Sequence, residues 1–237
     1  MTKFETLFGI KESQVKNTCV LLPLLKKEML KNLGVKEFSK GRLYSSGNSK
    51  SFTAIQTGIG PGLSGDAALY LAETQCQNII LFGSCGLVKE EKDIGVGSLV
   101  VPEECYSLES FTDMLLGNKD CWQVFSGDKA LMENFLKANK DIKKLTCATL
   151  GSLKLEEGYI DRLKEKNIKI VEMECSALFS ASKHTGKKAM ALFYVTDIIH
   201  KKPFYKDLAN DDKMKLSSSI RSAADILCDF IEKNLSA

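Results

Sequence analysis

Residues 168–178 read IKIVEMECSAL, an apolar run that ends in two carboxylates and continues into small residues. The apolar run predicts a buried strand, and the residues after it predict a helix that follows without a loop. Burying Glu172 and Glu174 at a strand end costs free energy unless the carboxylates bind something. Alternatively, both acids face solvent at a helix start, where the helix dipole favours negative charge. The segment therefore predicts a strand-helix unit and offers two candidate site residues.

The same rhythm runs along the rest of the 237-residue chain, where short apolar runs alternate with longer amphipathic stretches. This alternation is typical of an α/β fold with a largely buried sheet, and the length suits a single domain. Residues 1–17 are polar, so we interpret them as an N-terminal extension of a domain that spans 18–237. The predicted strands are 18–22, 51–56, 78–82, 98–101, 145–150, 168–172 and 189–195. The predicted helices are 24–32, 65–74, 129–138, 156–166, 174–183 and 211–235.

Composition excludes several classes of function. The 33 Lys and Arg against 30 Asp and Glu give a net charge of +3 that is spread along the chain, so we expect no nucleic-acid partner. No apolar run is long enough to span a bilayer, so we expect no membrane association. The eight cysteines lie mostly in apolar runs, form no CxxC pair and follow no signal peptide, which favours free thiols in the cytoplasm. With two histidines and no metal-ligand spacing, we expect neither a metal nor a cofactor.

Two glycine-rich segments follow predicted strands. Residues 57–65 read TGIGPGLSG, and residues 83–86 read GSCG, which we interpret as a turn. Gly58, Gly60 and Gly83 let backbone amides approach a ligand closely, and Ser84 offers a hydroxyl and an amide. Because ligands bind beyond the carboxyl ends of the strands in an open α/β sheet, the two segments are expected to converge on one site. A purely structural turn is the alternative for each segment.

A fourth segment, residues 189–197, reads AMALFYVTD, an apolar strand that ends in a single acid. Asp197 at a carboxyl-terminal strand edge is well placed for proton transfer. Taken alone, the same residue also fits a loop or a helix cap. The interpretation of Asp197 therefore depends on the other segments of the chain.

In their order and spacing, these segments resemble the family of purine nucleoside phosphorylase, uridine phosphorylase and methylthioadenosine/S-adenosylhomocysteine nucleosidase. The most specific matches are VEME at residues 171–174 and TD at 196–197, where the family usually has Ser-Asp. The GSCG segment and DIGVGSLVVP at residues 93–102 add support, and the similarity runs from residue 18 onward. The resemblance implies a central mixed, twisted sheet flanked by helices. It also implies a cytoplasmic enzyme that cleaves the N-glycosidic bond of a nucleoside and assembles as a homo-oligomer, a dimer or hexamer.

The resemblance also implies roles for individual residues. Asp197 matches the acid that protonates or hydrogen-bonds the leaving base. Met173 and Glu174 match residues that pack against the ribose and hold its hydroxyls, with Glu172 at the same strand end. Ser84 matches a contact to ribose or phosphate. These residue types suit the reaction, because breaking the bond builds positive charge on the ribose and negative charge on the base.

Two departures from the family pattern bear on whether water or phosphate is the nucleophile. Phosphorylases of the family hold phosphate with arginines, and this chain has Leu81 and the run PLL at residues 23–25 in the matching places. That difference favours water over phosphate. Nucleosidases place a glutamate early in the first helix to activate water, and Glu28 lies at about that position. A solvated helix face beside two lysines is the alternative interpretation of Glu28.

The third departure concerns the residue that stacks on the base. Ser152 and Leu153 stand where family members usually present an aromatic residue. Phe204 or Tyr205 could substitute for it, or the substrate differs from the usual purine nucleosides. We therefore predict a nucleosidase that binds a small nucleoside and uses water as co-substrate. A phosphorylase with an atypical phosphate site and a non-catalytic nucleoside-binding relative are the alternatives.

Overall fold

The computed structural model describes residues 1–117 and 122–235, with all their side chains except those of residues 27, 28 and 111–113. Its strands are β1 (Thr18–Leu22), β2 (Ser39–Lys40), β3 (Ser45–Asn48), β4 (Thr53–Gln56), β5 (Asn78–Leu87), β6 (Leu99–Leu108), β7 (Val124–Ser126), β8 (Lys143–Leu150), β9 (Ile170–Glu172) and β10 (Lys188–Ile198). Its helices are α1 (Lys3–Phe8), α2 (Lys27–Asn32), α3 (Pro61–Leu71), α4 (Phe111–Leu116), α5 (Lys129–Ala138), α6 (Ile160–Glu165), α7 (Cys175–Thr185) and α8 (Asn210–Asn234), with 3-10 turns at Glu12–Gln14 and Glu156–Tyr159. None of these helices has both the length and the apolar character needed to cross a membrane.

Strand β5 organises the sheet. Its first residues lie between β1 and β10, with all three strands parallel, and Ile79 pairs with both Cys19 and Ala189. Its last residues pair with β9 in the antiparallel direction. From β9, strands β8, β6 and β10 lead back to β5, so this half of the sheet closes on itself. On the other side β4, β3 and β2 extend the sheet beyond β1, and the predicted mixed sheet in an α/β fold is confirmed.

Helices cover both faces of the central strands, which explains why a strand such as β1 is buried throughout. In β1, Leu22 packs in one apolar cluster with Leu227 of α8, on the face that α2 and α5 also cover. Its neighbour Leu21 points to the opposite face and packs with Leu71 of α3 and Leu178 of α7. Because successive side chains in a strand alternate between the two faces, both faces bury apolar residues and the run carries no polar alternation.

The edge where the parallel strands end positions the chemistry. Strands β1, β4, β5 and β10 run in the same direction, so their carboxyl ends lie along one edge. The pairing of β10 with β5 shifts between Val195 and Asp197, which sets Asp197 opposite Gly86. A bulge of this kind re-aims the side chains that follow it. A Cβ at Gly86 would lie 2.9 Å from Oδ2 of Asp197, so the Asp197 carboxyl fits here because residue 86 has no side chain.

The predicted turn at residues 83–86 is wrong, because these residues form part of β5. Two small glycines there suggest a break, but hydrogen bonds from distant parts of the chain keep the strand extended. Gly83 pairs with Phe193 of β10, and Gly86 pairs with Val171 of β9. Pairing with partners from elsewhere in the chain overrides local strand propensity.

Residues 1–17 contribute side chains to the main core. Phe4 and Phe8 of α1 are buried and stack at 4.2 Å between ring centroids, and the ring of Tyr44 lies 4.4 Å from that of Phe8. The boundary at residue 18 stays a prediction.

Candidate active site

A cavity of about 490 Å³ opens at the carboxyl ends of β1, β5, β9 and β10. The structure brings together in its wall six residues that sequence analysis selected: Gly83, Ser84, Glu172, Met173, Glu174 and Asp197. Gly58 and Gly60 flank Ile59, which also lines the cavity. Segments that are more than a hundred residues apart in sequence therefore meet at one site.

Asp197 is buried near the end of β10, with 6% of its surface exposed. The hydroxyl of Thr196 donates to Oδ1 of Asp197 at 2.7 Å and lies 3.2 Å from the carbonyl oxygen of Cys85. Burial raises the pKa of the Asp197 carboxyl, and the hydrogen bond from Thr196 opposes that rise. A carboxyl held in this way retains its proton at higher pH than an exposed aspartate, as a general acid requires.

Glu174 lies at the start of α7 and is almost fully buried. Its Oε1 accepts a hydrogen bond of 2.7 Å from the backbone amide of Gly60, which joins the glycine-rich segment to this strand end. Gly60 has a φ of 121°, a conformation that residues with a side chain rarely adopt. Burial raises the pKa of Glu174 to about 7, although backbone hydrogen bonds from Gly60 and Met173 oppose the rise. Near neutral pH the carboxyl is therefore poised between its two protonation states.

Glu172 is bound on both carboxyl oxygens by protein groups. Its Oε2 accepts the backbone amides of Glu174 and Cys175, each at 2.7 Å, and so caps the start of α7. Its Oε1 accepts the hydroxyl of Thr149. Burial raises the pKa of Glu172, and the charge on Glu174 adds to the rise. The carboxyl therefore holds the first turn of α7, on which Glu174 depends, in place.

Glu156, which sequence analysis did not select, is a fourth buried carboxyl in the wall of the cavity. Burial raises its pKa to about 7, and the charge on Asp197 contributes to the rise. Among the described residues no side-chain hydrogen bond to this carboxyl is present, and the carboxyl faces the cavity. The sequence around it, KLEEGY, reads as an ordinary helix start, and no local pattern distinguishes Glu156 from Glu157.

The apolar and small residues of the site complete its wall. Met173 and Ser84 are half-buried and line the cavity. Gly58 has a φ of 83°, and a Cβ there would meet Cδ1 of Leu63 at 3.0 Å. The backbone conformation at Gly58 and Gly60 therefore positions the amide of Gly60 that donates a hydrogen bond to Glu174.

Candidates for stacking on a base lie at the rim. Leu153 and Phe204 line the cavity, and Phe204 is 56% exposed. Tyr205 packs edge-on against Phe204 at 5.6 Å between ring centroids. Ser152 is buried, and its hydroxyl accepts the backbone amide of Leu155 at 3.4 Å. Of the two candidate aromatics, Phe204 has the position that allows contact with a ligand.

The expected nucleophile site lies at the start of α2. The backbone of Glu28 belongs to this helix, but its side chain lies outside the described part of the structure. Pro23, Leu24 and Lys26 line the cavity beside it, and Lys206, in the connection after β10, lines the cavity as well. Lysines are thus the cations of the described cavity wall.

A cavity at the strand ends of an α/β fold, lined by buried carboxyl groups with raised pKa values, is typical of an enzyme active site. The family model of the phosphorylase superfamily matches residues 20–232. The chain therefore belongs to the phosphorylase superfamily.

Individual relatives agree with this membership. The chain is 25% identical over 206 residues to a DeoD-type purine nucleoside phosphorylase of Bacillus subtilis, covering 80% of this chain and 85% of that one. It is 26% identical over 154 residues to its counterpart of Bacillus velezensis, covering 63% and 65%. Uridine phosphorylase of Vibrio fischeri has the same fold, with a TM-score of 0.75, 17% identity and 95% coverage of both chains. So does 5′-methylthioadenosine/S-adenosylhomocysteine nucleosidase of Campylobacter jejuni, with a TM-score of 0.71, 15% identity and coverage of 92% and 99%.

The predicted family, the α/β fold class and the assignment as an enzyme of the nucleoside phosphorylase and nucleosidase class are confirmed. Relatives of both kinds match, so they do not distinguish water from phosphate as the nucleophile. The roles of the individual site residues stay predictions.

Proposed function

We propose that this chain hydrolyses the N-glycosidic bond of a nucleoside. The observation that carries the proposal is a set of three buried carboxyl groups with raised pKa values, Glu156, Glu174 and Asp197, in the wall of one cavity. A bond that breaks into an electron-poor sugar and an electron-rich base needs negative charge beside the sugar and a proton beside the base. Buried carboxyl groups with raised pKa values can meet both needs.

Asp197 is proposed as the general acid. The electron pair of the breaking C–N bond moves onto the base, and the proton on Asp197 neutralises the charge that develops there. Its burial supports this role because burial raises the pKa of the carboxyl, so Asp197 keeps its proton to higher pH than an exposed aspartate. Thr196 holds the carboxyl in one orientation through the 2.7 Å hydrogen bond.

Glu174 is proposed to bind the ribose hydroxyls in its ionised form, with Met173 packed against the sugar and Ser84 hydrogen-bonded to it. Binding of hydroxyl groups favours the charged form and lowers the pKa of Glu174 from about 7. The ionised carboxylate then stabilises positive charge on the sugar, an interaction that strengthens toward the transition state. The amide of Gly60 keeps the carboxylate pointed at the cavity.

Glu156 is proposed to bind the base. Its carboxyl lacks a protein partner among the described residues and lines the cavity that Asp197 also lines. Amino or ring N–H groups of a base would supply the missing hydrogen bonds, and the charge of Glu156 would in turn help Asp197 keep its proton. This assignment extends the proposal from bond cleavage to a base that presents N–H donors.

Water is proposed as the nucleophile because the chain's three arginines, Arg42, Arg162 and Arg221, are not among the residues of the cavity wall. Phosphate sites favour the planar guanidinium fork. Glu28 is proposed to activate the water, a role that rests on its sequence position. Phosphorolysis is the second candidate, and the presence of Lys26 and Lys206 in the wall favours it.

A nucleoside panel assayed with and without phosphate tests these proposals. Free base together with ribose, formed in the absence of phosphate, is the expected result. Strict dependence on phosphate, with ribose-1-phosphate as product, would replace hydrolysis by phosphorolysis. Saturable binding of nucleosides without turnover would instead support a non-catalytic relative.

We further propose that the enzyme acts in the cytoplasm as a homo-oligomer, either a dimer or a hexamer. The described cysteines are all free thiols, which suits a reducing compartment. Sedimentation equilibrium of the purified protein would distinguish the two assemblies, and a monomer at all concentrations would contradict both.

A further inference from the structure

Two thiols and one carboxyl that could bind a metal ion cluster next to the cavity. Cys105 of β6 and Cys147 of β8 are direct partners on neighbouring parallel strands, and Glu172 stands on the next strand, β9. The Sγ atoms of both cysteines lie 3.8 Å from Oε1 of Glu172. These three ligand atoms all lie within 4.8 Å of one another, and all three residues are buried. The cluster is contributed by three strands, so no local sequence spacing announces it.

The spacing of these atoms fits a tetrahedral metal site. Metal-sulfur bonds of about 2.3 Å and metal-oxygen bonds of about 2.1 Å place neighbouring ligand atoms roughly 3.6 to 3.8 Å apart. The lower value applies to a sulfur-oxygen pair, and the two sulfur-oxygen distances of 3.8 Å exceed it by about 0.2 Å. Three protein ligands with a fourth position left open are a common arrangement for zinc. Thiolate and carboxylate donors together suit a thiophilic divalent cation such as Zn²⁺.

The charge of such a site has compensation built into the fold. Two thiolates and a carboxylate around a divalent cation leave one net negative charge, which is costly in a dry interior. The amino end of α7 points at the cluster, and its dipole favours negative charge there. Glu174 and Cys175 donate their backbone amides to Oε2 of Glu172, which leaves Oε1 as the oxygen directed at the thiols. Glu172 could thus bind a metal through Oε1 while it continues to cap the helix through Oε2.

We propose that Cys105, Cys147 and Glu172 form a binding site for one thiophilic divalent cation. On binding, the cation replaces the proton of each ligating thiol, and those protons are released to solvent. The hydrogen bond that Thr149 donates to Oε1 is replaced by the metal-oxygen bond. Glu172 also lines the cavity, whereas neither thiol does, and no step of the proposed bond cleavage passes through the cation.

Cobalt(II) is a suitable probe, because tetrahedral thiolate coordination gives it intense visible bands and a sulfur-to-metal charge-transfer band in the near ultraviolet. Because the ligand atoms are buried, the metal is supplied both during expression and to the purified protein. We expect one equivalent of Co²⁺ per chain with these bands, and their loss when one equivalent of Zn²⁺ is added. X-ray absorption of the zinc-loaded wild-type protein should show a first shell of mixed sulfur and oxygen.

Matched cysteine variants locate the site. Cys105→Ser and Cys147→Ser should each weaken Co²⁺ binding by at least ~100-fold, because removal of a direct ligand exceeds the loss seen for outer-shell partners. Cys76→Ala removes an equally buried thiol elsewhere, and Cys228→Ala removes a more exposed one, so both should bind as wild type. Absence of the bands in wild type, an oxygen- and nitrogen-only shell, or unchanged binding in both serine variants would overturn the proposal. The wild-type X-ray absorption result decides the matter even if a variant does not fold.

Discussion

Replacing Gly86 by alanine tests how tightly the fold positions Asp197. The two residues face each other across β5 and β10, at the point where the pairing shifts. An added Cβ would lie 2.9 Å from Oδ2 of Asp197 and 3.4 Å from its Cγ. Contacts below 3.0 Å are essentially never tolerated by a real Cβ, so the carboxyl has to move. Relief to an ordinary contact of 3.4 Å requires a displacement of about 0.5 Å.

The size of the effect follows from this displacement. A misplacement of about 1 Å in a catalytic group costs on the order of 10²-fold in rate, so about 0.5 Å should lower kcat roughly tenfold or more. Overpacking in a closely packed interior costs about 1 to 3 kcal/mol, so the free energy of unfolding should also fall within that range. Asp197 keeps its carboxyl in this variant, so any loss of rate reports its position and not its removal.

The assay is steady-state kinetics on the best substrate from the nucleoside panel, together with urea unfolding. Gly95→Ala is the matched control, because no atom lies within 4 Å of the Cβ that it adds. Gly95→Ala should retain both the rate and the stability of wild type. A Gly86→Ala enzyme with wild-type kcat and unchanged stability would refute the argument that the glycine makes room for the acid.

Three further substitutions address the carboxyl groups directly. Asp197→Asn should lower kcat by roughly 10²- to 10⁴-fold with unfolding unchanged, since the amide keeps the shape but cannot supply the proton; near wild-type turnover would remove Asp197 from the mechanism. Glu174→Gln should lower kcat and kcat/KM together and should discriminate about 10- to 100-fold less against a 2′- or 3′-deoxynucleoside, because a hydrogen bond to a charged group is lost. Equal discrimination by both enzymes would show that Glu174 does not contact the sugar. Glu156 has a pKa of about 7 in the fold against an ordinary 4.5, so the folded state binds the extra proton between these values and its stability falls as pH rises through them. Glu156→Gln should therefore reduce the loss of unfolding free energy between pH 5 and pH 8 by up to about 3 kcal/mol. Urea unfolding of both proteins at the two pH values measures this, and an equal loss in wild type and variant would contradict the prediction.

Much of the fold is encoded in local sequence patterns, and the exceptions have physical causes. Strand β1 and helix α5 begin and end at the predicted residues, because a buried strand and an amphipathic helix have distinct periodicities. The hairpin of β2 and β3 was missed, since its residues are short and polar and become strands only by pairing with β4. Helix α1 was also missed, although Thr2 accepts the amide of Glu5 at 3.1 Å and this helix-start signal is present in the sequence.

The site was predictable where its residues share a segment and unpredictable where they do not. The glycine-rich segment, the VEME strand end and Asp197 each end a predicted strand, and the topology of an α/β sheet brings such ends together. Glu156 follows no strand directly and looks like any acid at a helix start. It enters the cavity only because the connection after β8 folds back toward the end of β10. The thiol cluster was invisible for the same reason, since its ligands belong to separate strands.

The structure separates two carboxylates that the sequence presents as equivalent. Glu172 and Glu174 flank one methionine, and both are buried. Both oxygens of Glu172 have protein donors that tie it to the first turn of α7, although burial still raises its pKa. Glu174 has the amide of Gly60, and its pKa of about 7 shows that this bond does not offset the burial of a full charge. Glu174 has fewer protein donors than Glu172, so it gains more from a ligand that donates hydrogen bonds, and we predict that Glu174 is the one of the two that contacts the substrate.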